Sequence, residues 1–187
     1  LLAHGAGAGQ DHPWMRAMRH DFAEVGFAVM TFNYAYTEAG RKAPDRLPKL
    51  IDVHVSAADH LAGEFPDVVV AGKSMGGRVG GHVVAEQGFA AKGVVYLGYP
   101  LVALGKSEPR DVTHLSTIAV PQLFVSGTRD RMGPKELICE VSAAVPDGEC
   151  FLIEDGDHSL VPLKRTGRTV DDSLNTVAGA VRERIGD

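Results

Sequence analysis

The sequence predicts an α/β protein: a three-layer α/β/α sandwich whose mostly parallel sheet is covered by helices on both faces. Three observations carry this. Short, continuous apolar runs such as Val68-Val69-Val70-Ala71 and Gly93-Val94-Val95-Tyr96-Leu97 read as strands buried on both sides, without the alternation of a half-solvated sheet. Apolar-periodic helical stretches separate these runs throughout the chain. Glycine-rich or polar turns follow the runs at their C-terminal ends, where ligands bind in open parallel sheets. A chain of 187 residues, 44% hydrophobic and 23% charged, suits a single domain over 1–187 with a sizeable core.

Leu1-Leu2-Ala3-His4 reads as the end of a buried strand entering Gly5-Ala6-Gly7-Ala8-Gly9. A dinucleotide fingerprint would need glycine or alanine where Gln10 stands, and an acidic residue where Asn33 and Tyr34 stand, so that reading is set aside. The alternative is a His-Gly loop whose Ala6 N–H points at the tip of a neighbouring strand. His12 to Val25 is predicted helical, with Trp14, Met18, Phe22 and Val25 on one stripe and Gly26 as the stop. Phe27 to Phe32 reads as the next strand, Asn33 to Pro48 as loop, and Leu50 to Gly63 as a helix that ends before Pro66.

The Val68 to Ala71 run feeds Gly72-Lys73-Ser74-Met75-Gly76-Gly77-Arg78, and a helical stretch carrying Val79, Val83 and Val84 follows as far as Gly88. Gly-x-Ser-x-Gly between a strand and a helix is a nucleophile elbow: the turn is so tight that flanking side chains would collide, and the serine stands at its tip. The bland reading is a glycine-packed connection with Ser74 as a plain helix N-cap. A phosphate-binding loop would need glycine five positions before Gly72, where Asp67 stands.

Gly93 to Gly98 is the next strand and leads into Tyr99-Pro100-Leu101. Only about twenty residues separate it from the strand Pro121 to Ser126, too few for a lid domain, so an open mouth is expected. A helix from Pro134 to Val145, a strand from Cys150 to Glu154 and a closing helix from Val170 to Ile185 complete the alternation. The last helix carries Val170, Leu174, Val177, Ala178, Val181 and Ile185 on one face.

Three polar residues stand just past strand ends: Ser74, Asp130 and His158. Serine's hydroxyl is a poor nucleophile until a base takes its proton; His158 suits that role, and Asp130 would fix the imidazole's tautomer. The Met75 N–H, at the start of a helix, and the Ala6 N–H would form the oxyanion hole. Asp155 and Asp157 are rival carboxylates, read as Asx turns shaping the histidine loop. Lys73 could attract anionic substrates, but a solvated side chain on the outside of the turn is the preferred reading. Arg78 is read as tying loops together.

A net charge of −5 and a pI near 5.9 give no signature of nucleic-acid binding. No apolar run approaches membrane-spanning length, and no signal peptide is visible, so a cytoplasmic protein without membrane contact is expected. Cys139 and Cys150 are read as reduced core thiols. His12, His20, His54, His60, His82 and His114 lack zinc-site spacing, and neither metal nor cofactor is called for.

On His4-Gly5-Ala6-Gly7, Gly72 to Arg78, Tyr99-Pro100-Leu101, Ser126 to Asp130 and His158-Ser159-Leu160, the chain resembles the α/β-hydrolases of the dienelactone-hydrolase-like type, in the branch with the Tex-type and KANL-type animal proteins. The resemblance covers nearly the whole chain. It implies catalytic Ser74, Asp130 and His158, with oxyanion donors at Ala6 and Met75. It implies an esterase-like serine hydrolase acting on a small acyl substrate, or, because the branch includes scaffolds, a non-catalytic protein-interaction module. The family fold also has strands before the His-Gly loop. Here the Phe27 to Phe32 strand is then expected at an edge, covered by upstream residues or by a second chain in a homodimer.

Overall fold

A computed structural model describes residues 1–186. In chain order the elements are β1 (Leu2–Ala3), α1 (Pro13–Glu24), β2 (Thr31–Phe32), α2 (Ala35–Glu38), α3 (Leu47–Ala62), β3 (Val69–Lys73), α4 (Met75–Glu86), β4 (Gly93–Leu97), β5 (Gln122–Gly127), α5 (Lys135–Ala144), β6 (Gly148–Ile153) and α6 (Val170–Ile185). The six strands form one sheet in the order β2-β1-β3-β4-β5-β6, and every pairing is parallel.

Strand side chains alternate between two faces, and each face has its own helices. Leu2, Ala71, Val95, Leu97, Leu123, Val125 and Ile153 pack with Met15, Met18 and Phe22 of α1 and with Leu174, Val177 and Val181 of α6. On the other face Val94, Tyr96 and Phe124 pack with Ile138 of α5 and with Leu115. Beside them Ala3 packs with Leu50 and Ile51 of α3 and Val79 and Val83 of α4. This is the expected three-layer sandwich. The α6 stripe is the one read from the sequence, and a capping box at Thr169 and Asp172 starts that helix.

Three local readings are corrected. The stretch 33–48 contains α2, and α3 begins at Leu47 with Pro48 in its first turn, where a missing N–H costs nothing. The edge strand is only Thr31–Phe32, because its neighbour β1 is two residues long and pairs only Leu2 with Thr31 and Ala3 with Phe32. A short edge exposes few unpaired backbone groups. The cysteines are not free thiols: Cys139 on α5 and Cys150 on β6 form a disulfide, with Cα atoms 5.1 Å apart. The helix folds directly back onto the strand that follows it, so two residues 11 apart in sequence face one another.

Burial of histidine gives this core an acid sensitivity. His54 is fully buried; its Nδ1 meets the Tyr34 hydroxyl at 3.0 Å, and desolvation pushes its pKa down to about 3. Burial also lowers the His4 pKa. A histidine whose pKa is depressed by folding supplies stability that is intact above its unfolded pKa near 6.5 and is lost as pH falls below it. For His54 the loss should reach about 2 kcal/mol by pH 5. Calorimetry at pH 7.5, 6 and 5 should show Tm falling by several degrees, and His54→Gln should flatten the dependence.

Candidate active site

Ser74 sits between β3 and α4 with φ 50° and ψ −113°, a backbone conformation that L-residues rarely adopt. The elbow can close only because residue 72 has no side chain: a Cβ there would lie 2.3 Å from the backbone of Gly76 and Gly77. Ser74 is not an N-cap by side chain, since its hydroxyl makes no bond to the helix backbone. The hydroxyl faces His158 instead, with Nε2 at 2.9 Å from Oγ.

The imidazole's other nitrogen, Nδ1, lies 2.8 Å from Oδ2 of Asp130. The second carboxylate oxygen accepts the Met132 N–H at 2.8 Å. Burial pushes the Asp130 carboxyl up, but the hydrogen bond and charge of His158, with the N–H groups of Met132 and Gly133, outweigh it and hold its pKa below the ordinary range. Asp130 is therefore a buried carboxylate that keeps His158 protonated on Nδ1, leaving Nε2 free to accept the serine proton. The residues chosen from the sequence meet in one hydrogen-bonded chain. Asp157 has the local role expected of it: its Oδ1 accepts the N–H groups of Ser159 at 2.8 Å and Val161 at 3.1 Å. Asp155, at φ 59°, turns the same loop.

The His-Gly loop passes directly beside the serine, and a Cβ on Gly5 would sit 3.5 Å from Ser74 Cβ. His4 is fully buried; its Nδ1 donates to the Gly5 carbonyl at 2.8 Å and its Nε2 accepts the Tyr34 N–H at 3.2 Å. The Gly5 carbonyl and the Ala6 N–H belong to one trans peptide, so they point in opposite directions. With the carbonyl drawn to His4, the Ala6 N–H is turned away from that ring, and Ala6 lines the cleft that contains Ser74 and His158. Met75 is the first residue of α4, so its N–H has no acceptor within the helix. Met75 follows Ser74 in the chain, and Ala6 lines the same cleft as Ser74.

These features lie along the C-terminal edge of a parallel sheet, and residues 1–186 match the family described as "Alpha/beta hydrolase domain". The chain belongs to this alpha/beta hydrolase family. Solved structures agree on the fold at low identity. Est1E from Butyrivibrio proteoclasticus, with ferulic acid bound, is 17% identical, with a TM-score of 0.77 over 100% of this chain and 88% of that one. XC6422 from Xanthomonas campestris, described as a serine hydrolase without a lid, is 15% identical, with a TM-score of 0.75 over 100% and 83%. An alpha-beta serine hydrolase homologue from Coxiella burnetii is 14% identical, with a TM-score of 0.74 over 97% and 82%.

In this hydrolase-family chain the cleft encloses about 690 Å³ and runs over Ser74 between the His-Gly loop, the start of α1 and the His158 loop. Its apolar lining includes Trp14, Met132, Val161 and Leu174, and Leu104 stands 85% exposed at the mouth. Only a 3₁₀ turn at Thr113–Thr117 and an isolated bridge between Val102 and Pro109 interrupt the segment from β4 to β5. Among the described residues no cluster of three or more His, Cys, Asp or Glu could hold a metal ion.

One side chain differs from expectation. Lys73 is not solvated: it is buried, with Nζ donating to the His158 carbonyl at 2.7 Å. Lys73 is the last residue of β3 and lines the cleft beside Ser74. The Arg78 guanidinium lies near Tyr99 and Arg110, with its Nε buried and without a hydrogen-bond partner. Sequence reasoning missed His4 as the holder of the His-Gly loop, and Trp14, whose Nε1 donates to the Ser159 carbonyl at 2.8 Å. A helical stripe marks Trp14 only as core; nothing local marks a partner 145 residues away.

Proposed function

We propose that the protein is a serine hydrolase that cleaves an ester or related acyl compound through an acyl-serine intermediate. The observation that carries this is the continuous chain from Ser74 Oγ through His158 to the buried Asp130, with both contacts under 3 Å. Ser74 Oγ attacks the acyl carbon while His158 Nε2 takes its proton, and Asp130 stabilises the imidazolium that forms. The N–H groups of Met75 and Ala6 receive the carbonyl oxygen as it becomes negative. Collapse expels the leaving alcohol, protonated by His158. Water, deprotonated by the same nitrogen, then attacks the acyl-serine and releases acid and free Ser74.

The apolar walls of the cleft favour an uncharged acyl or alcohol group of several carbons, and dienelactone-hydrolase-like or carboxylesterase chemistry falls within that range. A panel of nitrophenyl esters of rising acyl length, with a lactone and a peptide amide, reads the preference. A fluorophosphonate probe tests the reaction class: one phosphonyl group should attach, on the peptide that contains Ser74. Folded protein that stays inert would favour the other reading, a module that uses the exposed Leu104 at the cleft mouth to hold a protein.

The Cys139–Cys150 bridge bears on location. Reduced thiols would fit a cytoplasmic protein, whereas a disulfide favours an oxidising compartment. The described helices include none long and apolar enough to cross a membrane. Alkylation of the protein as isolated, without reductant, should modify neither cysteine. Reduction should cost about 3 kcal/mol of stability, as expected for a short closed loop.

A further inference from the structure

Lys73 is a buried ammonium one residue from the nucleophile, and its bond to the His158 loop has no part in the acyl-transfer steps above. The His158 carbonyl lies in a recess built for this contact. Gly98, at φ 70°, forms one wall, and a Cβ there would fall 2.8 Å from the His158 carbonyl oxygen and 3.4 Å from Lys73 Nζ. Lys73 Nζ fills the other side at 2.7 Å. The Trp14 ring lies 5.7 Å from Nζ, and the same indole donates to the next carbonyl, that of Ser159. Consecutive carbonyls of the histidine loop are thus held by β3 and by α1. Lys73 pairs with Leu97 inside the sheet, so its backbone is as fixed as the elbow it precedes.

We propose that Lys73 is a positioning residue for His158: its ammonium ties the histidine's own carbonyl to the nucleophile strand and so keeps the base in register with Ser74. The inference rests on the acyl-transfer reading. It adds that the alignment depends on the lysine's charge, because a charge-assisted hydrogen bond is about twice as strong as a neutral one. Burial lowers the Lys73 pKa to about 8, opposed by the carboxylates of Asp130 and Asp157. The imidazole of His158 faces the same recess, and His12 and Asp171 line the cleft beyond it.

The rate should therefore fall as pH rises through about 8. This fall is not unfolding by Lys73: a lysine whose pKa is depressed by folding favours the folded chain as pH rises between its folded and unfolded values. The test is kcat and KM for nitrophenyl acetate and for the anionic nitrophenyl hemisuccinate between pH 6 and 10, in wild type and Lys73→Met, with fluorophosphonate labelling of the wild type as a control. Lys73→Met should lower kcat by roughly 10- to 100-fold on both esters, leave KM within about twofold, and abolish the alkaline limb. A loss confined to KM for the hemisuccinate would make Lys73 a substrate contact and overturn the inference, as would an unchanged kcat or a limb that survives in the variant. Wild type that neither labels nor turns over overturns the acyl-transfer reading, and the inference with it. Should Lys73→Met fail to fold, the wild-type limb decides: a limb that shifts sharply downward on warming, as ammonium ionisation does, supports the inference, and a limb that stays in place overturns it.

Discussion

Ser74→Ala should lower kcat by roughly a millionfold, to the residual rate that oxyanion donors and binding alone provide, while leaving the fold intact. In the proposed mechanism every covalent step runs through Ser74 Oγ, the hydroxyl that lies 2.9 Å from the Nε2 of His158. The hydroxyl makes no capping bond to α4, so its removal breaks nothing structural. Alanine keeps the backbone conformation serine already holds at φ 50°, and Tm should stay within a few degrees of wild type. Asp130→Asn should lower kcat by about ten-thousandfold, because the amide can direct its N–H at the imidazole and select the wrong tautomer. Steady-state kinetics beside calorimetry on both variants read the outcome. Loss of Tm together with activity would turn these residues into structural ones.

Gly72→Ala should be strongly destabilising for the addition of a single methyl group. Its Cβ would lie 2.3 Å from two backbone atoms of the facing helix turn, and no flexible side chain can yield there. The elbow would have to open, separating β3 from the start of α4, at a cost of about 3 kcal/mol or more. Gly179→Ala is the matched control. It lies in the exposed interior of α6 with nothing within 4 Å of the added carbon, and it should stabilise by about 0.5 to 1 kcal/mol through helix propensity. Denaturant melts of the two variants should move in opposite directions from wild type.

What the sequence made legible was whatever depends on local pattern. The α6 stripe, the glycines of the elbow and the polar residues after β3, β5 and the strand before His158 are properties of a few consecutive positions, and the structure has them where they were read. What it hid was contact between distant segments. Lys73 beside a glycine-rich turn reads as solvated until the His158 loop, 85 residues on, is seen to place a carbonyl over it. His4 gives no local sign that Tyr34 will meet its ring. The bridge between Cys139 and Cys150 depends on α5 doubling back onto β6, and composition alone favoured free thiols. Pro48 misled for the opposite reason: proline reads as a break, yet in the first turn of α3 it is a helix start.

Rapid mixing with an activated nitrophenyl ester should trap the proposed covalent acyl-serine at Ser74. The expected result is a burst of nitrophenol stoichiometric with the protein and, in acid-quenched samples, an acyl mass on the peptide that contains Ser74 and on no other. Turnover without that adduct, or an adduct carried elsewhere, would contradict it.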